Sequence, residues 1–245
     1  MKALILNSGV GQRMGVFTQS APKCMTPIGA GYTIISRQLT QLFMAGIQDA
    51  VITTGPFAEL LKEHIDGLGL PMNITYVANP IFQETNYIYS MHLAAAELDD
   101  DILLLHGDLV LENSVINDLL SSSASVVAVD STLPLPEKDF KAKLKNGRII
   151  AIGIEFFGPD CVASQPAYVF KQADFIAWMQ AISDFCEKGQ RRVYAENAYN
   201  AKNGDIPLYP LELNGRLCNE IDNPQDLITV SNRFLSILEK EEARS

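Results

Sequence analysis

Lys2-Ala3-Leu4-Ile5-Leu6-Asn7-Ser8-Gly9-Val10-Gly11-Gln12-Arg13-Met14 is the stretch that decides the reading of this chain. Lys2–Leu6 reads as a buried strand. Its apolar run is too short for the core of a signal peptide. It runs directly into a Gly-x-Gly loop, the usual entry to a phosphate-binding turn in an α/β protein. Three kinds of loop share such glycines. A Walker A loop ends in Gly-Lys-Ser/Thr, which is missing here. A dinucleotide fingerprint needs a glycine where Met14 stands, and an acidic residue at the end of the second strand, where the chain reads Thr54-Gly55. The third is a loop that wraps a nucleoside triphosphate. Glycines let the backbone approach the base and phosphates, Arg13 offers a forked donor to the β- and γ-phosphates, and Lys23 adds a compact charge near the α-phosphate. An ordinary βα turn with two surface cations would carry the same glycines, so the loop needs support from elsewhere.

Outward from the loop, short apolar runs alternate with helical spacings. Helices are expected at Ile34–Ala45 (stopped by Gly46), Phe57–Ile65, Asn86–Leu98 (Asn86 as N-cap) and Ser114–Leu120. Strands are expected at Ala50–Thr53, Ile74–Val77, Ile102–His106 and Ser125–Val129. This alternation predicts an α/β fold: a three-layer, Rossmann-like αβα sandwich around a mixed, mostly parallel sheet. Right-handed crossovers would then bring the loops after Leu6 and His106 to the same carboxyl edge. After Asp130 the pattern changes. Asn146-Gly147 signals a hairpin between Phe140–Leu144 and Ile149–Ile154. Ala167–Phe170 reads as a strand and Ala173–Cys186 as a helix. Asn223 caps a last helix, Pro224–Lys240. No repeat or long linker interrupts the chain. The expectation is one domain over 1–245: a nucleotide-binding part (1–130), an acceptor-binding part (131–222) and a C-terminal helix (223–245).

The formal net charge of −10 argues against general nucleic-acid binding, which needs clustered Lys and Arg. No apolar run approaches the ~18 residues of a membrane span. Four cysteines without a CxxC pair, and only three histidines, leave little for zinc. Reduced thiols in a cytoplasmic protein are expected. Asp108, after the strand Ile102–His106, and Asp222, before the last helix, could each simply cap a turn or helix. Together they offer the hard oxygen ligands that magnesium takes alongside substrate phosphates.

The set Leu6-x-x-Gly9-x-Gly11-x-Arg13-Met14, Thr18, Pro22-Lys23-x-Met25 resembles the signature of nucleotidyltransferases with the sugar-phosphate nucleotidyltransferase fold. Most members carry Ala-Ala where this chain has Asn7-Ser8. Thr85-Asn86-Tyr87-Ile88-Tyr89-Ser90 and Glu220-Ile221-Asp222-Asn223-Pro224 look like stretches of phosphocholine cytidylyltransferases. Ser131–Phe140 and Asn7-Ser8 look closer to cytidylyltransferases of phosphonate biosynthesis. The resemblance implies CTP as one substrate and a small phosphonate or phosphate acceptor, 2-aminoethylphosphonate-like or phosphocholine-like, as the other. A sugar-1-phosphate nucleotidyltransferase using another nucleotide is the alternative. It implies Mg²⁺ on Asp108 and Asp222, and catalytic charge on Arg13 and Lys23. Nucleotide contacts fall to Asn7, Ser8, Gly9, Gly11 and Asn86. For the acceptor, Lys138 could meet the phosphonate and Glu196 an ammonium, with Glu155, Phe156 and Phe157 as weaker candidates. Lys141, Lys143 and Lys145 alternate and read as a solvated face. A homodimer is left open.

Overall fold

Strands buried on both faces read as unbroken apolar runs, and this explains the early sequence. A computed structural model describes residues 1–242. Its strands are β1 (Lys2–Asn7), β2 (Pro27–Gly29), β3 (Tyr32–Thr33), β4 (Asp49–Thr54), β5 (Asn73–Ala78), β6 (Ile102–His106), β7 (Leu109–Leu111), β8 (Val126–Asp130), β9 (Lys141–Lys145), β10 (Arg148–Gly153), β11 (Cys161–Phe170), β12 (Tyr209–Glu212) and β13 (Cys218–Glu220). Its helices are α1 (Ile34–Met44), α2 (Ala58–Asp66), α3 (Tyr87–Ala94), α4 (Asn113–Ser121), α5 (Gln172–Glu187), α6 (Ala195–Lys202) and α7 (Pro224–Glu242).

The main sheet has nine strands in the order β10-β9-β11-β6-β1-β4-β5, with β8 along the other edge of β11 and β12 beside β8. Strands β6, β1, β4 and β5 are parallel neighbours. Strand β11 runs against β6, β8 and β9, so all but β10 and β11 point one way. The sheet is mixed and mostly parallel, as the sequence predicts, and it takes strands from both the 1–130 and the 131–222 parts. The C-terminal part is described as α7 to Glu242; residues 243–245 lie outside the described residues.

Alternate residues of each central strand enter opposite cores. Leu4, Leu6, Ile102 and Leu104 pack in the cluster with α3, α5 and α6. Ala3, Ile5, Leu103 and Leu105 pack in the cluster with α1, α2 and α4. Within the first cluster Trp178 is buried against Phe170, with ring centroids 4.7 Å apart, and its indole N–H donates to Ala195 O at 3.0 Å, tying α5 to α6. A third, smaller core under α7 joins Phe234 and Val230 to Met14 of the phosphate loop.

Local chemistry sets the boundaries. Thr33 and Ser36 form a reciprocal capping box at the start of α1, and Gly46 (φ 88°) follows its end. Asn223 caps α7, accepting from the backbone N–H of Gln225 and Asp226 at 2.9 and 3.1 Å. Asn146 and Gly147 both take positive φ, as their hairpin turn requires. Several expectations shift. The helix expected over Asn86–Leu98 ends at Ala94 and continues as a short 3-10 turn, Ala95–Glu97. Strand β11 begins at Cys161, well before Ala167. Short strands β2, β3, β7, β12 and β13, and helix α6, carry too few residues for periodicity to reveal them.

One expectation is overturned. Lys141 is not part of a solvated face: its side chain is fully buried, while Lys143 is partly buried and Lys145 exposed. The four cysteines are free thiols, all buried. Among the described residues no helix is long and apolar enough to cross a membrane.

Candidate active site

The loop leaving β1 is shaped by backbone conformations that suit glycine. Gly11 takes φ 65° and opens a 3-10 segment, Gln12–Thr18; a Cβ there would press against Lys23 and Thr18. Met14 N–H and the Thr18 hydroxyl both return to Gly11 O at 3.0 Å, closing the loop on itself. A second short 3-10 turn, Lys23–Met25, then presents Lys23.

The carboxyl end of β6 supplies the opposing wall. Gly107 N–H donates to Leu6 O at 3.0 Å, and any Cβ at Gly107 would collide with the Asn7 side chain. The turn is clamped from behind by buried amides of α1. Gln38 Nε2 donates to His106 O (2.8 Å) and Leu109 O (2.9 Å), and Gln41 Nε2 to Leu111 O (2.9 Å). Strand β7 then pairs antiparallel with β13, Leu109 opposite Glu220, and Ile221 N–H donates to Asp108 O at 2.9 Å. This two-stranded ribbon brings Asp222 to Asp108 across more than a hundred residues of sequence.

Lys23 Nζ donates to Asp108 Oδ2 and to Asp222 Oδ1, both at 2.6 Å, and Arg13 donates to Asp222 Oδ2 at 2.8 Å. Lys23 and both aspartates are largely buried, whereas the Arg13 side chain is 68% exposed. Burial pushes the Asp108 carboxyl up, but the Lys23 ammonium and the His106 ring outweigh it, so the net shift is downward. The Lys23 ammonium is opposed by burial and favoured by the two aspartates, with a net rise. Glu220 differs. Burial, and then the Asp108 charge, push it up to about 7, against a hydrogen bond from His106 Nδ1 at 3.2 Å.

Two features bear on whether the cluster fits a cation. Asp108 Oδ1 is buried with no hydrogen-bond partner. Ligand atoms of His106, Asp108 and Glu220 lie within 4.8 Å of one another. Asp222, which shares the Lys23 ammonium with Asp108, adds further carboxylate oxygens nearby, and hard oxygens of this kind suit a magnesium ion.

These groups line one cleft of about 890 Å³. It brings together the sequence-predicted Asn7, Gly9, Gly11, Arg13, Lys23, Asn86, Asp108, Lys138 and Asp222. Ser8 lies in an adjoining recess of about 160 Å³, beside Asn79 and Thr85, where its hydroxyl meets that of Ser90 at 2.6 Å. Asn86 also caps α3, as expected. Glu196 is placed differently from its expected direct contact with an acceptor. It is 2% exposed, it is not among the cleft-lining residues, and its two oxygens accept from the Tyr87 and Tyr168 hydroxyls. It stands behind Tyr87, whose ring lines the cleft beside His106 and Tyr194. Of the weaker acceptor candidates Glu155, Phe156 and Phe157, none lines the cleft. Sequence reasoning missed Glu220, Asp139 and the aromatic wall of Tyr87, Phe140 and Tyr194. The available signal for Glu220 was its spacing of two from Asp222 in an extended segment, which puts both on one side.

A glycine-rich loop after a central strand, two cations and two converging carboxylates at the carboxyl edge of a mixed sheet define the nucleotidyltransferase class. Residues 3–200 match the model of the MobA-like NTP transferase domain, and the chain belongs to that family. It is 36% identical over 135 residues to the CMP-5'-(3-aminopropyl)phosphonate synthase of Streptomyces rubellomurinus, covering 55% of this chain but only 21% of that longer protein. It is 28% identical over 235 residues to the choline-phosphate cytidylyltransferase of Streptococcus pneumoniae, covering 92% of this chain and 95% of the other. Among solved structures, the CTP:phosphocholine cytidylyltransferase of Streptococcus pneumoniae superposes with a TM-score of 0.77 at 21% identity, covering 94% and 97% of the two chains; that likeness concerns the fold.

Proposed function

We propose that this chain transfers CMP from CTP to a small phosphonate or phosphate acceptor bearing a cationic head, 2-aminoethylphosphonate-like or phosphocholine-like, and releases pyrophosphate. The observation that carries this reading is the convergence of Lys23, Arg13, Asp108 and Asp222 at the mouth of the Gly9–Gly11 loop. The names of the phosphonate and choline-phosphate relatives support the choice of base and acceptor.

An acceptor phosphonate is already an anion near neutral pH, so its oxygen can attack the α-phosphorus without a general base. The bond from the α-phosphorus to the bridging oxygen breaks, and pyrophosphate leaves with its electrons. What opposes reaction is anion–anion repulsion and the charge spread over the transition state. Positioned cations therefore carry most of the catalysis. Backbone N–H groups at Gly9 and Gly11 bind phosphate oxygens. Lys23 exchanges its carboxylates for an α-phosphate oxygen. Arg13, mostly exposed, follows the departing pyrophosphate. Asp108 and Asp222 would hold a magnesium ion, which would supply positive charge to offset the repulsion between the reacting anions.

The recess beside Ser8 suits the base, and the main cleft suits the triphosphate and acceptor. Lys138 faces the acceptor phosphonate. The aromatic wall of Tyr87, Phe140 and Tyr194, with Asp139 and Glu220 beside it, suits an ammonium head. Glu196 serves that wall from behind by fixing the Tyr87 hydroxyl. A pyrophosphate-release panel tests the reading: CTP, UTP, GTP and dTTP against 2-aminoethylphosphonate, phosphocholine and sugar 1-phosphates. Turnover with CTP and an aminophosphonate or phosphocholine is expected. Turnover only with sugar phosphates would move the chain to sugar-nucleotide synthesis.

A further inference from the structure

Lys141 is one of the largest fully buried side chains of the protein, and it is an ammonium. A charge taken out of water is costly unless hydrogen bonds satisfy it. Among the described residues it forms no ion pair. Its Nζ donates instead to two backbone carbonyls, Pro136 O at 2.7 Å and Glu137 O at 3.4 Å, and the Phe157 ring covers it at 4.1 Å.

Those carbonyls belong to the segment between β8 and β9. Thr132 N–H is held by Asp130 Oδ1, and Phe140 O accepts from Ser164 N–H at 3.0 Å. Between these anchors, over residues 133–139, the hydrogen bonds of Lys141 are the ones that hold the segment among the described residues. Pro134 and Pro136 have no N–H to give, so the segment cannot build a ladder of its own. Yet Lys138, Asp139 and Phe140, immediately beyond the held carbonyls, line the cleft.

We infer that Lys141 is the positioning residue of the acceptor side: its ammonium ties the Pro136 and Glu137 carbonyls from behind and so fixes Lys138 and Asp139 against the bound acceptor. It touches neither substrate. A cation on a flexible stem suits this role, because it can meet two carbonyls at once and still lie over the ring of Phe157. The inference rests on the proposed assignment of this part of the cleft to the acceptor.

Two readouts on Lys141→Met, Lys141→Arg and Phe157→Leu test it. The first is backbone ¹⁵N relaxation of the ligand-free protein. Lys141→Met should lower the order parameters of Leu133, Leu135 and residues 137–139 from about 0.85 to below about 0.6 and leave the central strands unchanged, with Lys141→Arg restoring part of the order. The second is steady-state kinetics with CTP and 2-aminoethylphosphonate. Lys141→Met should raise the acceptor KM about tenfold while the CTP KM stays within about twofold. Phe157 is more than half exposed, so Phe157→Leu keeps the test open if Lys141→Met does not fold; it should give a smaller change of the same kind. Unchanged order parameters in residues 133–139 would overturn the inference, as would equal rises in both KM values. Lower order in Lys141→Met, with no acceptor turned over by the wild-type protein, would leave Lys141 as the tie of this segment and remove the proposed reaction.

Discussion

The ammonium of Lys23 lies 2.6 Å from Oδ2 of Asp108, across 85 residues of sequence. The same nitrogen meets Asp222 at 2.6 Å, so one lysine holds together the two carboxylates that the proposed chemistry needs for a metal ion. Lys23→Met should lower turnover about a hundred- to a thousand-fold, because a preorganised charge at the α-phosphate is lost. Lys23→Arg should not restore it, since a planar fork cannot replace a compact charge between two carboxylates. Steady-state pyrophosphate release checks both variants.

Asp108→Asn keeps the shape of the turn but removes the charge. Turnover should fall by about two or more orders of magnitude, and the magnesium concentration for half-maximal rate should rise. Near-normal activity would remove Asp108 from the metal site.

Gly107→Ala sets a methyl group against the Asn7 side chain and close to Leu6 O. Overpacking of this kind costs about 1–3 kcal/mol. Chemical denaturation should show that loss, and adding Asn7→Ala should recover part of it. Full additivity of the two changes would mean that the two positions do not press on one another.

Glu196→Gln exchanges one carboxylate oxygen for an NH₂ group that cannot accept from Tyr87 or Tyr168. One buried phenol then loses its acceptor, at a cost of about 1–3 kcal/mol. Through the displaced Tyr87 ring, the acceptor KM should rise more than the CTP KM. Equal rises would detach Glu196 from the acceptor side.

Tyr87 and Tyr168 are pushed well above the ordinary phenol value of 10.0, first by burial and then by the nearby Glu196 charge, and burial lifts Tyr76 to about 12. The folded state therefore holds these protons more tightly than the unfolded chain. The stability linked to them is fully present below pH 10 and is lost as the pH climbs above it. In an alkaline titration, the phenolate absorbance of Tyr87 and Tyr168 should appear together with unfolding. Its appearance while the far-ultraviolet circular dichroism is still native would contradict their burial.

The phosphate loop and the central sheet were legible because each is written in consecutive residues. Residues 3–6 and 102–105 are apolar throughout because both faces are covered, and Asn146-Gly147 names its own turn. The meeting of Asp108 with Asp222 was not legible from spacing. It depends on pairing between Leu109–Leu111 and Cys218–Glu220, strands too short to show a period; only the family resemblance joined the two aspartates. Lys141 misled for a related reason. A lysine at alternate positions reads the same whether it faces water or tucks under a neighbouring loop, and the carbonyls that decide the matter carry no sequence signal. Glu196 reads in the sequence as an acceptor contact, but a residue letter cannot say that two tyrosine hydroxyls occupy both its oxygens.

The central claim is nucleotidyl transfer from CTP to an aminophosphonate-type acceptor, and phosphorus NMR of one reaction tests it most directly. With the protein, Mg²⁺, CTP and 2-aminoethylphosphonate, the account predicts paired new signals from a mixed phosphonate–phosphate anhydride, rising in step with pyrophosphate and absent with Asp108→Ala. If neither this acceptor nor phosphocholine gives an anhydride signal while CTP remains intact, the account is contradicted.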